Sequence, residues 1–443
     1  MSRKKKNQVP EGPEKPFCEH FPMCGGCLYQ NFSYEAQKNV KLEHVKELMR
    51  EVCPDFPLEE CLESPRHTEY RNKMEFSFGD CEKDGPLTLG LHQRGSFYNV
   101  LPIYDCRIVD SDYRAIIWVT LDFFRNEGIP YVHKRTHEGV LRHLLVRKSV
   151  STGEIVVALV TSSQGMDITD EVGTEHFSDE TNYEGIVPEW EPEWIKEYAK
   201  RLILLDLEGK IGGILHIIND SLADVVKADK TVLLYGMDSI RESLLGLDFK
   251  ITPFSFFQTN STGAETLYSV VRDYVGDTTG KVVYDLYSGT GTIAQILAPV
   301  AKRVVGVEIV EEAVQAAGEN AKLNGLDNCE FIAGDVLEVL DSLTEPPDVM
   351  VLDPPREGIH PKALPKLLAY GVESFVYVSC KPESLARDMV TILEAGYKPV
   401  KAVCVDMFPW TKHVETCVLL QRVSNTRPKD ITLDVEMEDF EKQ

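Results

Sequence analysis

The sequence lacks any stretch of about 18 consecutive apolar residues, which excludes a conventional membrane-spanning helix. The first residues, Met1–Lys6, lead into a Pro-rich polar stretch without the apolar core of a signal peptide, so we expect a cytoplasmic protein. No internal repeat of roughly 20–50 residues is present. Positive charge is also scarce. The 47 Lys and Arg residues against 71 Asp and Glu residues give a net charge of −24, which argues against nonspecific binding of nucleic acid through overall charge.

The composition is otherwise that of a globular protein. Of the 443 residues, 43% are apolar and 27% are charged, so we expect roughly two to four folded domains. The chain has 11 cysteines but no secretion signal, and a disulfide framework is therefore not expected. Cys18, Cys24 and Cys27 lie within a few residues of one another, and this cluster requires a separate explanation.

Changes in sequence pattern divide the chain into five predicted segments. These are a flexible tail over 1–16, a cysteine-rich segment with a helix over 17–62, a strand-rich central domain over 63–260, an α/β domain over 261–425 and an acidic tail over 426–443. The helix is predicted over Tyr34–Glu51, where apolar residues form a stripe. Gln164–Ile195 contains ten acidic residues and no Lys or Arg, which we interpret as a solvated insertion with helical pieces.

Apolar runs recur at regular intervals after Thr262, with helix-like segments such as Glu311–Asn324 between them. The runs are Val282–Tyr287, Val304–Glu308, Glu330–Ala333, Val349–Leu352 and Phe375–Ser379. Alternating strands and helices predict a parallel, doubly wound sheet. Val400–Met407 and Val414–Gln421 are joined by too short a link for a crossover helix, so we expect an antiparallel hairpin at the sheet edge. This α/β arrangement, a Rossmann-like mostly parallel sheet ending in an antiparallel hairpin, is that of S-adenosylmethionine (SAM)-dependent methyltransferases.

The first predicted strand of this sheet ends in a glycine-rich turn. Gly289 and Gly291 permit a tight strand-to-helix turn and a close approach of a ligand to the backbone. Glu308 ends the second strand, where an acidic side chain can accept both hydroxyls of a ribose. These features indicate an adenosine-containing cofactor, and alone they also fit NAD.

The residues at the ends of the third and fourth strands distinguish a methyltransferase cofactor from NAD. Asp335 closes the third strand, where an adenine amino group could be held. The fourth strand ends in Asp353-Pro354-Pro355-Arg356, and the double proline fixes backbone groups that would face a planar base. Dehydrogenases do not need such a turn, whereas methyltransferases that act on nucleobases do.

The fifth strand and the last strand of the sheet contribute a cysteine and a glutamate at the same edge. Cys380 follows the fifth strand and Glu415 opens the last, and each alone is more often structural or merely solvated. Together they suit methylation of uracil at C5, which is too weak a nucleophile to react unaided. A thiolate adds to C6, the enolate attacks the sulfonium methyl, and a base removes the C5 proton so that the thiolate can leave. Lys381 or the cofactor's positive charge would lower the pKa of the thiol.

These residues closely resemble those of the bacterial RNA uracil-5-methyltransferase family over about Cys18 to Arg422. The matching motifs are Pro253–Asn260, Asp285–Gly291, Leu352–Gly358, Val378–Pro382 and His413–Thr416. The resemblance implies Cys380 as the nucleophile and Glu415 as the proton acceptor. It also implies cofactor contacts from Gln258, Tyr287, Glu308, Asp335 and Asp353, of which Gln258 and Tyr287 rest on the resemblance alone.

The cysteine cluster fits an iron–sulfur type of this family. Cys18, Cys24 and Cys27 would hold a [4Fe–4S] cluster with a distant fourth cysteine, for which the candidates are Cys53, Cys61, Cys81 and Cys106. The family pattern selects Cys106. Four thiolates serve structural zinc equally well on chemical grounds, and only the resemblance favours the cluster. We expect a structural role, since methyl transfer needs no electrons.

The resemblance implies structured RNA as the substrate, with ribosomal RNA favoured over transfer RNA by the cluster motif. The N-terminal RNA-binding barrel of some iron–sulfur members is not expected here, so the central domain would bind the RNA. The best basic candidates are the stretch His133–Lys148 together with Arg66, Arg71, Lys73 and Arg94. We expect a folded loop whose uridine is flipped into the pocket, and neither DNA nor a membrane as partner.

Three other functions are weighed against this one. An amino-group methyltransferase would leave Cys380 and Glu415 without roles, and it usually has an aromatic residue where this chain has Arg356. A catalytically idle RNA-binding or folding factor would not need the pair. An NAD-dependent oxidoreductase suits neither the pair nor the terminal hairpin.

Overall fold

The computed structural model describes residues 11–166, 191–222, 228–343 and 345–423. Most of the predicted flexible tail and acidic insertion, and all of the acidic tail, lie outside these described residues. No helix within the described ranges is long and apolar enough to cross a membrane.

The first elements are the helix α1 (Tyr34–Arg50) and the strand β1 (Leu58–Leu62). The side chain of Ser33 accepts a hydrogen bond from the Ala36 amide and caps α1 at its N-terminus. The buried face of α1 includes Leu42, Val45 and Met49, which pack in the same core as the sheet of the C-terminal half. The helix predicted from the apolar stripe is therefore present, and it belongs to the C-terminal core.

The central region forms a seven-stranded sheet flanked by two helices. Its elements are β2 (Lys73–Gly79), β3 (Thr88–His92), β4 (Val100–Pro102), α2 (Ser111–Glu127), β5 (Leu141–Lys148), β6 (Glu154–Thr161), α3 (Glu193–Ile203), β7 (Lys210–Ile218) and β8 (Lys230–Gly236). The strand order is β4-β3-β2-β5-β6-β7-β8. Neighbouring strands are antiparallel except β6 and β7, whose parallel pairing requires the crossover that contains α3. The predicted strand-rich character of this region is confirmed.

A short hairpin of β9 (Ile240–Leu244) and β10 (Leu247–Ile251) connects this region to the C-terminal α/β part. The remaining elements are α4 (Ser261–Val275), β11 (Val282–Leu286), α5 (Thr292–Leu297), β12 (Arg303–Glu308), α6 (Glu311–Leu323), β13 (Cys329–Ala333), α7 (Val336–Val339), β14 (Val349–Leu352), α8 (Ala363–Ala369), β15 (Ser374–Ser379), α9 (Pro382–Glu394), β16 (Tyr397–Val405) and β17 (Glu415–Arg422).

The second large sheet has eight strands in the order β1-β16-β17-β15-β14-β11-β12-β13. All neighbours are parallel except β17, which runs antiparallel to β15 and to β16. Strands such as β11 and β14 are buried throughout, as expected for parallel strands covered by helices on both faces. The predicted fold class is therefore confirmed.

The position of the terminal hairpin differs from the prediction. β16 and β17 do pair in antiparallel fashion, but they do not form the edge of the sheet. β17 lies between β15 and β16, and β1 pairs in parallel with β16 on its other side. The C-terminal half of β16 is apolar and buried, so β1 covers an edge that would otherwise expose apolar side chains and unpaired backbone groups.

The two sheets are joined by hydrogen bonds at the beginning of β2 and the end of β5. Asn72 Nδ2 donates to the Gln258 carbonyl at 2.9 Å and to Ser261 Oγ at 2.8 Å. A guanidinium nitrogen of Arg147 donates to the Thr252 carbonyl at 2.8 Å. All three acceptors belong to the segment that leads from β10 into α4, so the central sheet directly supports the Pro253–Asn260 motif.

Asn260 fixes the beginning of α4 to two other segments. Its Oδ1 accepts from the Gly263 amide at 2.9 Å, which caps the helix, while its Nδ2 donates to Ser64 Oγ at 3.0 Å and to the Met407 carbonyl at 2.9 Å. Asn260→Ala removes the cap and leaves buried groups unpaired, so we expect it to lower the free energy of unfolding by about 2–4 kcal/mol. Urea unfolding of the purified variant measures the change.

Two variants sharpen this test. Asn260→Ser keeps a capping acceptor and loses the two donated bonds, so its stability should lie between those of wild type and Asn260→Ala. Asn126→Ala removes an exposed helical amide that donates to Asp122 and should change little. Equal stability of Asn260→Ala and Asn126→Ala would contradict the role given to Asn260.

Candidate functional site

The loop after β11 adopts a conformation that glycine makes accessible. Gly289 and Gly291 have φ angles of 53° and 71°, and Tyr287 also lies in the left-handed region with φ at 68°. A Cβ on Gly291 would lie 2.4 Å from the ring of Phe331, so no larger residue fits there without displacing that ring. The loop therefore turns tightly from β11 into α5, as the glycine pattern predicted.

Asp285 holds this loop to the helix that follows. One carboxylate oxygen accepts from the Ala294 amide at 2.8 Å, while the other has no hydrogen-bond partner among the described residues. Burial raises the pKa of Asp285 to about 7. Asp285 is not among the residues predicted from the sequence, although its place near the end of β11, just before the glycine turn, is a usable signal.

The Glu308 carboxylate is held against the glycine loop. One oxygen accepts from the Gly289 amide and the other from the Val310 amide, each at 3.0 Å. Glu308 is only half-buried, so remaining lone pairs on both oxygens can accept further hydrogen bonds. This side chain thus has the position and the acceptor capacity that a ribose diol requires.

Three further predicted cofactor contacts surround the same crevice. Asp335 follows β13 and caps α7, where its Oδ1 accepts from the Leu337 amide at 2.8 Å. Tyr287 is half-buried, and burial together with the nearby Asp335 carboxylate raises its pKa to about 12. The Gln258 side chain lies beside the buried phenol of Tyr268. The charge of Asp353 acts on the same phenol and raises its pKa. The loop and these side chains therefore meet at the carboxyl-end edge of the sheet, where open α/β sheets bind ligands such as an adenosine-containing cofactor.

Strand register brings Cys380 and Glu415 together. Ser379 and Thr416 are paired neighbours on the antiparallel strands β15 and β17. The next residue on one strand therefore lies opposite the preceding residue on the other, and these residues are Cys380 and Glu415. Glu415 is buried and Cys380 half-buried, so the cysteine keeps some solvent exposure and the glutamate almost none.

The charges around this pair are strongly coupled. Burial, Glu415 and Asp353 raise the pKa of Cys380 to about 11. Burial and Asp353 raise the pKa of Glu415 to about 8, and burial raises that of Asp353 to about 7. The environment shared by this thiol and the two carboxyls thus disfavours their ionised forms. A positive charge that entered it would lower all three pKa values.

The cation that acts on these groups is Arg356, which follows the Asp-Pro-Pro turn. It lowers the pKa of both Cys380 and Glu415. Burial and Arg356 lower the pKa of His413 to about 4, which keeps that imidazole neutral at pH 7. Lys381 or the cofactor's positive charge is expected in this role from the sequence; among the protein's own cations, the structure brings the Arg356 guanidinium to the thiol.

The four predicted metal ligands line one small cavity. Cys18, Cys24, Cys27 and Cys106 enclose it together with apolar side chains such as Leu91 and Ile103, and the other candidate cysteines lie elsewhere. Burial raises the pKa of Cys27 to about 12 and that of Cys106 to about 11, and neighbouring thiols contribute to both shifts. Within the described ranges, however, no three His, Cys, Asp or Glu side chains are already arranged to hold a metal ion.

Half of the predicted basic stretch is structural. Arg147 and His143 are buried, and Lys148 Nζ forms ion pairs with Asp110 and Asp112 at 2.6 Å each. Arg142 donates to backbone carbonyls. These charges support the sheet, so the stretch as a whole does not form an RNA-binding surface. The basic residues of the stretch that are exposed, Arg135 and His137, lie near its beginning.

Arg94, another basic candidate, binds the cysteine segment instead of facing solvent. Its guanidinium donates to the carbonyls of Pro22, Cys24 and Cys27. The Gly25 amide donates to the His92 carbonyl at 3.2 Å. The turn after β3 therefore carries one side of the cysteine cavity.

Comparisons with known proteins agree with this geometry. Residues 221–423 match the family model described as tRNA (uracil-5-)-methyltransferase. RNA methyltransferases of Clostridium tetani and Caldanaerobacter subterraneus are 47% and 43% identical to this chain, and each alignment covers 91% of this chain and 83% or 84% of the relative. The crystal structure of Pyrococcus abyssi tRNA (uracil-54, C5)-methyltransferase with S-adenosyl-L-homocysteine is 28% identical. Its TM-score is 0.68, and the match covers 90% of this chain and 86% of that one. This chain therefore belongs to the RNA uracil-5-methyltransferase family and is a SAM-dependent methyltransferase.

Proposed function

We propose that this enzyme methylates C5 of a uridine in structured RNA through a covalent bond between Cys380 and C6 of the base. The observation that carries the proposal is the β15–β17 register, which sets the Cys380 thiol opposite the Glu415 carboxylate. Both side chains are at the carboxyl-end crevice of the sheet, where open α/β sheets bind their ligands. A nucleophile and a base that lie side by side suit a reaction in which C6 of the base is attacked and the neighbouring C5 loses its proton.

The chain's residues would act in a fixed order. The Cys380 thiolate adds to C6 and makes C5 nucleophilic; bound SAM supplies the electrophilic methyl group. Glu415 then removes the proton from C5, and the thiolate leaves as the double bond re-forms. The sulfur–carbon bond that forms in the first step breaks in the last, so the cysteine is regenerated.

The cofactor site proposed for SAM uses the edge of the sheet described above. Gly289 and Gly291 let the cofactor approach the backbone, Glu308 accepts from the ribose hydroxyls, and Asp335 lies where the adenine amino group is expected. Tyr287 and Gln258 would pack or bond against the remaining cofactor surface. Asp353 would face the methyl donor or the target base at the Asp-Pro-Pro turn.

The substrate that we favour is a loop of ribosomal RNA, because the cysteine pattern resembles that of the iron–sulfur type. Transfer RNA is the competing substrate, since the matching family model and the solved Pyrococcus abyssi enzyme both carry that substrate in their descriptions. In either case the uridine must leave its stack to reach Cys380. Sequencing of RNA from cells that lack the enzyme distinguishes the two substrates.

Tritium release tests the chemistry directly. RNA labelled with tritium at uracil C5, taken from cells without this protein, should lose tritium to water only when SAM and the enzyme are both present. Cys380→Ala should abolish release, and Glu415→Gln should reduce it by a factor of 10² or more, as expected for loss of a general base.

A matched control isolates the nucleophile. Cys329→Ala replaces another half-buried cysteine, on β13 and outside the pair, and should leave the release rate unchanged. Continued release by Cys380→Ala at the wild-type rate would exclude the covalent scheme.

The pH dependence of the reaction should reflect Glu415 and Cys380. Glu415 accepts a proton only when it is ionised, and its pKa is about 8, so kcat/KM should rise with pH through this range. Arg356 lowers the pKa of both groups; Arg356→Gln should therefore raise both pKa values and shift the pH–rate profile towards alkaline pH. Arg272→Gln removes an exposed arginine on α4 and serves as the control. A shift of the Arg356→Gln profile towards acid would contradict this assignment.

We propose that the cavity of Cys18, Cys24, Cys27 and Cys106 holds a [4Fe–4S] cluster, with structural zinc as the alternative. Four thiols in one apolar cavity suit either group, because both favour thiolate ligands. The raised thiol pKa values fit as well, since thiols stay protonated until a cation compensates their charge.

Metal analysis of anaerobically purified protein tests this assignment. We expect about four iron atoms per chain, whereas about one zinc would favour the alternative. Cys106→Ser should lose most of the metal and lower the melting temperature. Cys81→Ser, at a cysteine outside the cavity, should retain both. Full metal content in Cys106→Ser would overturn the choice of the fourth ligand.

A further inference from the structure

We infer that an exposed aromatic and basic surface on the central sheet stacks an unpaired nucleotide of the RNA substrate, away from the uridine that is methylated. The surface consists of His92, Phe97, Tyr98, Lys134 and Arg135. The choice of RNA as partner rests on the proposed function.

Two aromatic rings project from the turn between β3 and β4. Phe97 is 59% exposed and Tyr98 48% exposed, although large aromatic side chains ordinarily gain from burial. Their rings meet edge to face with centroids 5.5 Å apart. The His92 ring is nearly parallel to Phe97, at 1° and 6.4 Å. One face of this group is therefore a ready surface for a planar base.

The turn that carries the rings is held in place. Ser96 Oγ accepts from the amides of Tyr98 and Asn99 at 3.3 Å and 3.1 Å, and Asn99 Nδ2 donates to the Gln93 side chain at 3.2 Å. The Gln93 amide donates to the Asn99 carbonyl at 2.9 Å. Because the backbone is already ordered, binding would cost little conformational entropy there.

A cation lies over one face of each of these two rings. Lys134 Nζ is 4.3 Å from the centroid of Phe97 and donates to the Phe97 carbonyl at 2.9 Å. The Arg135 guanidinium is 5.0 Å from the centroid of Tyr98 and is exposed. In a chain with a net charge of −24, positive charge concentrated beside exposed rings is a local departure that matches a phosphate backbone.

This combination is typical of surfaces that bind single-stranded nucleic acid. Bases stack on aromatic side chains while basic groups meet the phosphates, and stacking requires a base that is not paired. Paired RNA would meet the cations but not the rings. The occupant is therefore an unpaired nucleotide in a loop or bulge.

The two parts of this surface meet beside the middle of β2. His92 Nε2 lies 3.4 Å from Ser77 Oγ and 3.2 Å from Lys134 Nζ, so the turn after β3 and the loop that precedes β5 contact each other there. Asn72, which bonds to the Gln258 carbonyl, lies at the beginning of the same strand. The rings and cations therefore form one surface on the central sheet, separate from Cys380 and Glu415.

The test uses a probe of about 12 nucleotides, a single-stranded oligoadenylate with one internal 2-aminopurine, whose fluorescence falls on stacking. The full-length protein should bind it and quench it. Phe97→Leu/Tyr98→Leu keeps apolar bulk but removes both ring faces, so affinity should fall at least tenfold and quenching should disappear. Trp118→Leu, at a 60% exposed ring on α2, is the matched control and should behave as wild type.

A second variant does not depend on the rings. Arg135→Gln alters an exposed side chain and should weaken binding and reduce its salt dependence. Affinity and quenching of the double variant equal to wild type would overturn the inference and favour a protein partner for this surface. So would an equal loss in Trp118→Leu, because the effect would then not be specific to these rings.

The outcomes also separate this inference from the proposed function. If tritium release occurs but the ring variants bind the probe normally, only the stacking surface is wrong. If no C5 methylation is found while probe binding still depends on Phe97 and Tyr98, the chemistry is wrong and the surface stands. An RNA duplex of the same length should bind with no difference between wild type and the double variant.

Discussion

The antiparallel pairing of β15 with β17 is the constraint on which the site depends. The strands on either side of this pair, β14 and β16, run parallel to β15, and only β17 is reversed. Because β17 runs antiparallel to β15, its first residue, Glu415, lies opposite Cys380, the residue that follows β15. In an all-parallel sheet the beginning of the last strand would lie at the opposite edge, away from the glycine loop after β11.

The electrostatics of the crevice follow from burial. Asp285, Asp353 and Glu415 are carboxyls whose pKa values burial raises to between about 7 and about 8, and the Cys380 thiol is shifted in the same direction. Arg356 offsets part of this. A sulfonium ion brings a full positive charge to the same cleft, so cofactor binding and ionisation of Cys380 and Glu415 should favour one another.

Much of the fold and of the crevice could be predicted, because both depend on local pattern. Buried parallel strands are continuous apolar runs, and residues directly after them must reach one edge, which sufficed for Gly289, Glu308 and Asp353. The pairing of strands that are far apart in the sequence leaves no such local pattern. β1 has the sequence Leu-Glu-Glu-Cys-Leu, yet it pairs with β16 far along the chain. The basic residues of β5 have the sequence pattern of an RNA-binding surface. In the structure they bond to carboxylates and backbone carbonyls that are distant in the sequence.

Trapping the covalent adduct tests the central claim most directly. RNA in which 5-fluorouridine replaces uridine offers no C5 proton to Glu415, so the thiolate cannot leave once the methyl group is transferred. The account predicts an RNA–protein complex that survives denaturation, forms only with SAM, and maps by mass spectrometry to the peptide containing Cys380. An adduct on another cysteine, or methylation of natural RNA with no adduct on the fluorinated RNA, would contradict it.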